Sequence, residues 1–102
     1  MTRRIVLLVY PGFQVLDAAG PLAAFEAANA CVPGAYLLEL IARDGGLVAS
    51  SGGTRLAATA FSDRAGDDTL IVTGGDGVFA AAECATTVGF VSNSGAAQCV
   101  AM

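Results

Sequence analysis

Arg4-Ile-Val-Leu-Leu-Val-Tyr10 is the stretch that decides the fold of this chain. It is an unbroken apolar run, rich in β-branched residues, that stops at Pro11-Gly12. A run with no polar alternation is typical of a central strand covered on both faces in a parallel sheet. Thr69-Leu-Ile-Val-Thr73 repeats the pattern. We therefore predict two buried strands side by side, with the first at the centre of the sheet.

The residues between these two strands predict a helix, a turn and a further strand. Apolar positions recur at near-helical spacing from Gln14 to Ala30. Because proline is tolerated best in a first helical turn, we expect the regular helix to begin at Pro21, after a shaped lead-in. Val32-Pro33-Gly34 predicts a turn, and 35–42 predicts a strand that places Leu38, Leu40 and Ala42 on one side.

The remaining segments carry weaker signals. Residues 47–49 and 54–56 flank Ser50-Ser51-Gly52-Gly53, which favours a short peripheral hairpin over a core strand. Helices are expected at 78–84 and 85–95, and a strand is expected to begin at Gln98. The alternation of strands and helices predicts an α/β fold, a flavodoxin-like three-layer sandwich with a mostly parallel sheet. Three strong strands cannot cover such a sheet, so we expect it to be C-terminally incomplete.

Composition narrows the function. The 102 residues suffice for one hydrophobic core, and 55% of them are apolar. The net charge of −4, with five Arg and no Lys, argues against direct nucleic-acid binding. The absence of His removes the commonest metal ligand, and we expect neither a metal nor a cofactor. With no apolar run of about 18 residues and no leader-like start, we expect no membrane contact and a cytoplasmic location.

Three cysteines are present, Cys31, Cys84 and Cys99. Their odd number and the lack of C-x-x-C spacing favour free thiols in a reducing compartment over a disulfide framework. Free cysteine is among the most buried residue types, so buried or incidental thiols are the expected outcome. Cys99 has no neighbouring glycine that would permit an exposed nucleophile turn, and we interpret it as a strand residue.

Two polar features lie where the predicted parallel strands end. Gly74-Gly75-Asp76-Gly77 follows a buried strand and could bind an anion through backbone N–H groups, or could be a strand-to-helix turn with Asp76 as the helix N-cap. Asp17 follows the first strand and is either a functional acid at the ligand crevice or a helix-start residue. Glu26, farther along the helix, is expected to be solvated.

Three motifs in order resemble the PfpI/ThiJ superfamily, the class I glutamine amidotransferase-like proteins, in its isonitrile hydratase and GlxA-like regulator branch. Residues 4–25 resemble the branch's opening strand, proline and L-D-x-x-G-P element. Residues 46–58 are similar to its V-x-S-S-G segment, and residues 68–78 are similar to its D-x-L-x-V-P-G-G-x-G turn. The resemblance covers residues 4–91 and identifies 1–102 as the N-terminal portion of a PfpI-like domain.

The resemblance implies roles for particular residues. Asp17 would be the acid/base partner of a nucleophilic cysteine, and the backbone N–H of Gly75 would help form an oxyanion hole. Gly74, Gly75, Asp76 and Ser51 would contact a small-molecule ligand. The family's cysteine, in a V-C-(T/S)-G turn, is expected just beyond Met102. Thr73 replaces the usual proline, which weakens the preset geometry of the turn.

The resemblance leaves three functional hypotheses. The chain could belong to a sensing and dimerising domain similar to that of GlxA-like AraC-type regulators, with DNA contact made elsewhere; the F-E-A-A-N run ending at Asn29 favours this class. It could instead be part of a cysteine-dependent enzyme similar to isonitrile hydratase, or an inactive truncated fragment. Because one edge and one face of the sheet would stay uncovered, we expect the isolated chain to be marginally stable, to aggregate or to need a partner such as a second copy.

Overall fold

A computed structural model describes residues 2–61, 69–92 and 98–101, the last of these as strand backbone alone. The described residues form six strands and three helices. In chain order these are β1 Arg3–Leu8, α1 Val15–Cys31, β2 Tyr36–Ala42, β3 Gly46–Ala49, β4 Arg55–Ala60, β5 Thr69–Val72, α2 Val78–Glu83, α3 Ala85–Ser92 and β6 Gln98–Ala101.

The strands form one sheet in the order β3-β4-β2-β1-β5-β6. Strand β1 pairs in parallel with β2 on one side and with β5 on the other. The β2–β4 and β5–β6 pairs are also parallel, and the β3–β4 pair is antiparallel. This confirms the predicted α/β class, the mostly parallel sheet and the central position of β1 beside β5.

The side chains of β1 enter two separate cores, because successive residues of a strand point to opposite faces. Helix α1 covers one face, and α3 packs on the other. The residues that define the two layers are Ile5, Leu7, Leu22 and Phe25 on the α1 side and Val6, Leu8, Phe90 and Val91 on the α3 side. The sheet is therefore the middle layer of the predicted three-layer arrangement.

Helix α1 begins at Val15, so the predicted start at Pro21 is wrong. Proline inside a helix removes one hydrogen bond to the carbonyl four residues earlier, here that of Asp17. The residue before proline is restricted mainly through its Cβ, and Gly20 has none. Burial of Ala18 anchors the first turn, so the helix runs through the proline.

The hairpin of β3 and β4 is confirmed, but β4 is not only peripheral. It continues to Ala60, and its last two residues pair in parallel with Ile41 and Ala42 of β2. The alanine-rich β4 carries little strand propensity, so its sheet contact left no local signal. The two later helices end at Glu83 and Ser92, within the expected segments. None of the helices in the described ranges has the length and apolar character needed to cross a bilayer.

Candidate functional site

Three turns meet beyond the carboxyl ends of β1 and β5. One follows β1, one joins β3 to β4, and one follows β5. Phe13, which is fully buried, lies at their junction: its carbonyl accepts a hydrogen bond from the Ser51 N–H at 2.9 Å. The next residue, Gln14, donates from its backbone N–H to the Gly74 carbonyl at 2.7 Å. The carboxyl edge of a parallel sheet is the usual place for a ligand crevice.

Asp17 ties α1 to the turn after β5. Its Oδ2 accepts a hydrogen bond from the backbone N–H of Gly74 at 2.8 Å, and the group is partly buried. Hydrogen bonds to an ionised acceptor are about twice as strong as neutral ones. Asp17 does lie in the first turn of its helix, as the alternative interpretation expected, but its recorded hydrogen bond crosses to another element. The sequence separation of 57 residues makes this a tertiary contact.

Gly75 occupies a position that only glycine fits. Its φ is +133°, and a Cβ there would lie 2.5 Å from the Gln14 nitrogen and 2.6 Å from the Gly12 oxygen. Its carbonyl accepts from the Val78 N–H at 3.1 Å. Within the described part of the chain, its own N–H makes no hydrogen bond. A backbone donor without a partner is what an oxyanion hole requires.

Asp76 is exposed and does not cap α2, so that alternative interpretation is wrong. The N-cap is Gly77, which has no side chain to accept a capping hydrogen bond, and its N–H donates to the Gly12 carbonyl at 3.1 Å. Ser51 is exposed and joins the site through its backbone bond to Phe13. The structure thus brings Asp17, Gly74 and Gly75 together and places Asp76 and Ser51 on the rim.

Thr73 holds the turn by hydrogen bonds where the family has a proline ring. Its hydroxyl donates to the Leu8 carbonyl at 2.7 Å, and its N–H donates to the same carbonyl at 3.2 Å. Only 2% of Thr73 is exposed. The threonine therefore fastens the turn to the central strand in a way that proline, which lacks an N–H, cannot.

Tyr10 is a site residue that the sequence interpretation missed. Its hydroxyl donates to the Thr73 carbonyl at 2.6 Å, next to Gly74. Burial raises the pKa of the Tyr10 phenol; a hydrogen bond with the Thr73 side chain opposes this shift, and the charge of Asp17 adds to it. The available signal was a tyrosine that ends an otherwise aliphatic strand at its carboxyl edge.

The cysteines lie away from Asp17. Cys31 is exposed at the end of α1, which fits an incidental rather than a buried thiol, and Cys84 is half-buried between α2 and α3. Both are free thiols, as predicted. Cys99 pairs with Leu70 within β6, in agreement with its interpretation as a strand residue. No group of potential ligands that could hold a metal ion occurs among the residues described.

Comparison with known proteins shows which proteins this arrangement is similar to. No family model matches the chain. A protein of Streptomyces lividans, named "Uncharacterized protein in cpoL 5'region", is 43% identical over 75 residues, which are 72% of this chain and 52% of that protein. A ThiJ/PfpI family protein from Pseudomonas syringae has a crystal structure that matches with a TM-score of 0.86 and 29% identity, over 99% of this chain and 42% of that one.

These neighbours show that the chain is similar in fold and in sequence to proteins of the PfpI/ThiJ superfamily. The fold of this superfamily is also seen in an AraC family transcriptional regulator from Pseudomonas putida, with a TM-score of 0.66 and 24% identity over 72% of this chain and 47% of that one. The chain spans about half the length of these three proteins.

Proposed function

We propose that this chain forms part of a small-molecule-sensing and dimerising domain, similar to that of GlxA-like AraC-type regulators. The observation that carries the proposal is the Asp17–Gly74 hydrogen bond, which holds a carboxylate next to Gly75, whose N–H makes no hydrogen bond to any residue that the structure describes. Support also comes from the fold shared with an AraC family regulator and from the net charge of −4, which leaves DNA contact to other residues.

The site offers both a hydrogen-bond acceptor and a hydrogen-bond donor, so it would suit a small ligand that carries both kinds of group. Asp17 would accept from an amide or hydroxyl group, and the N–H of Gly75 would donate to a carbonyl or carboxylate oxygen. Gly74, Asp76 and Ser51 would complete the rim. A ligand donor can use the remaining acceptor positions of the Asp17 carboxylate while Oδ2 keeps its 2.8 Å bond to the Gly74 N–H.

Two large apolar side chains support the dimerising role. Leu16 on α1 is 68% exposed and Phe79 on α2 is 78% exposed. Large exposed apolar residues near a site are typical of a surface that a second protein copy covers. Light scattering should give the mass of two chains for the parent and of one chain for a Leu16→Glu, Phe79→Glu variant. A monomeric parent would contradict the homodimer.

The sensing role is tested by ligand-dependent thermal stabilisation. We expect at least one member of a panel of small amides, hydroxy acids and amino acids to raise the Tm of the parent and to leave the Tm of Asp17→Asn unchanged. Glu26→Gln, which removes an exposed charge from the same helix, is the matched control and should respond like the parent. Stabilisation that persists in Asp17→Asn would place the ligand elsewhere and overturn this site.

An enzyme similar to isonitrile hydratase is the second candidate. Strand β6 favours it, because Ala101 pairs with Val72 and β6 therefore ends at the same edge as Gly74. A cysteine on a turn after that strand would reach Asp17, which would then activate it. The coding sequence after Met102 separates the candidates: a V-C-(T/S)-G motif followed by a helix-turn-helix supports the regulator, and the motif followed by a stop after roughly a hundred codons, the remainder of one domain, supports the enzyme. A stop at Met102 would leave an inactive fragment.

A further inference from the structure

A second concave region lies beside the turns of the proposed ligand site. It is a cavity of about 510 Å³ between the carboxyl end of β2, strand β3 and the α2–α3 junction. Its polar lining is distinct from Asp17 and Gly74 and consists of Tyr10, Arg43, Asp44, Cys84 and Thr87. One of these groups, the thiol of Cys84, is a nucleophile that the proposed sensing function does not use.

The surroundings of Cys84 favour its thiolate. Thr87, which is 8% exposed, hydrogen-bonds the sulfur through its side chain and its backbone. Arg43 contributes from another element: its Nη1 donates to the Cys84 Sγ at 3.6 Å. These contacts, those of Thr87 first, lower the pKa of Cys84 to about 7. The Arg43 contact is tertiary, because Arg43 follows β2, whereas the Thr87 contacts come from the first turn of α3.

We propose that Cys84 is a thiol–disulfide exchange site, at which low-molecular-weight disulfides attach one half of themselves to the chain inside this cavity. The Cys84 thiolate attacks one sulfur of the disulfide, a new S–S bond forms, and the old one breaks. The other half leaves as a thiolate and takes a proton from water. The protein sulfur is oxidised and the leaving sulfur is reduced, so no further oxidant is needed.

The acidity of Cys84 suits this reaction at neutral pH. About half of such a thiol is thiolate at pH 7, against about 3% of an ordinary cysteine. The more acidic thiolate is intrinsically about fivefold less nucleophilic, and the attacking thiol is best when its pKa is near the ambient pH. Together these two factors make the expected exchange rate of Cys84 about threefold higher than that of an ordinary thiol at pH 7 and about fivefold higher at pH 6.

Other charged or titratable groups face the same space. Asp44 lies 3.6 Å from the Arg43 Nε and offsets part of its charge, and both side chains are largely exposed. Glu83 precedes Cys84 and is exposed. Tyr10 has a raised pKa and stays neutral across the range in which Cys84 ionises. The pH dependence of the exchange therefore follows the thiol itself.

The test compares two single-cysteine forms of the intact chain. Cys31→Ser with Cys99→Ser leaves Cys84, and Cys84→Ser with Cys99→Ser leaves Cys31. Each form is treated with hydroxyethyl disulfide, a neutral probe, between about pH 5.5 and 9, and the adduct is followed by mass spectrometry. We expect Cys84 to react faster by the factors given above, with a rate that levels off near pH 7. The difference should vanish in denaturing urea.

Variants of the neighbours show whether the cavity causes the effect. Thr87→Val and Arg43→Gln should each move the midpoint of the Cys84 pH–rate profile upward and lower its rate at pH 6 by at least about twofold. Thr86→Val alters an exposed threonine of the same helix and should leave the profile unchanged. Equal rates for Cys84 and Cys31 in the native chain, or a Cys84 profile that none of the variants moves, would overturn the proposal.

Discussion

The Asp17 turns and the Cys84 cavity lie on either side of Tyr10, yet they are built by different means. The first is made largely of backbone: Gly75 and Gly77 approach residues 11–14 so closely that side chains would not fit. The second depends on a contact between two side chains, Arg43 and Cys84, which are 41 residues apart in the sequence. The Arg43 and Asp44 side chains there are largely exposed. Substitutions should therefore break the first region by steric overlap and change the second mainly through its electrostatics.

Gly75→Ala should have the largest effect. The new Cβ would meet backbone atoms at 2.5 to 2.7 Å in a conformation with φ of +133°, and neither the overlap nor the strain can be relieved by moving a flexible side chain. We expect a loss of at least about 3 kcal/mol in the free energy of unfolding, measured by urea denaturation.

Gly89→Ala is the matched control for this change. Gly89 lies in α3, and a Cβ there would meet no atom within 4 Å. Alanine is preferred to glycine in helices, so we expect this variant to be more stable than the parent by up to about 1 kcal/mol. A similar loss of stability in both variants would mean that the close approach of the two turns is not what makes Gly75 essential.

Asp17→Asn should have an intermediate effect, because it keeps an acceptor oxygen at the Gly74 N–H and removes the charge. We expect the free energy of unfolding to fall by about 1–2 kcal/mol at pH 7. Glu26→Gln makes the same chemical change at an exposed position of α1 and should alter it by less than about 0.5 kcal/mol. If the two variants unfold alike, the Asp17–Gly74 bond contributes nothing to holding the turns together.

Tyr10 gives the smallest expected effect, and it appears only at alkaline pH. The pKa of the folded phenol is raised above its ordinary value of 10.0, so above about pH 10 the unfolded chain ionises first and binds fewer protons than the folded chain. The stabilising contribution is complete below that pH and declines as the pH rises. Urea denaturation should show this decline in the parent and a shallower one in Tyr10→Phe, and the difference between the two slopes separates this phenol from the second tyrosine and the three cysteines of the chain. Equal slopes would show that the phenol is not perturbed.

The fold was predictable to a large extent because hydrophobic pattern and topology agree. The uninterrupted run of β1 identified a strand buried on both faces, and the structure covers it with α1 and α3. Two boundaries were not predictable from local rules. Helix α1 runs through Pro21 because Gly20 and tertiary contacts reduce the free-energy cost of a proline inside the helix. Strand β4 joins the sheet through backbone pairing, and its alanines have too little strand propensity to predict that pairing.

Only those site residues that belong to glycine-rich or ordered sequence motifs could be predicted. Asp17, Gly74 and Gly75 were identified, and the structure brings them together. Tyr10 and the Arg43–Cys84 contact were not, because they arise when the end of β1 meets the β5 turn and when the end of β2 meets the α2–α3 junction. Such contacts form only when the sheet is packed, and no regular residue spacing in the sequence predicts them.

The position of Tyr10 has a thermodynamic consequence. Its ring lines the Cys84 cavity, and its hydroxyl holds the Thr73 carbonyl beside the Gly74 N–H that bonds Asp17. An adduct on Cys84 that shifts this ring alters the geometry at Asp17, and a ligand at Asp17 acts back on the ring. Linkage requires the two effects to be equal in free energy, so the redox state of one thiol and the occupancy of the ligand site would each report on the other.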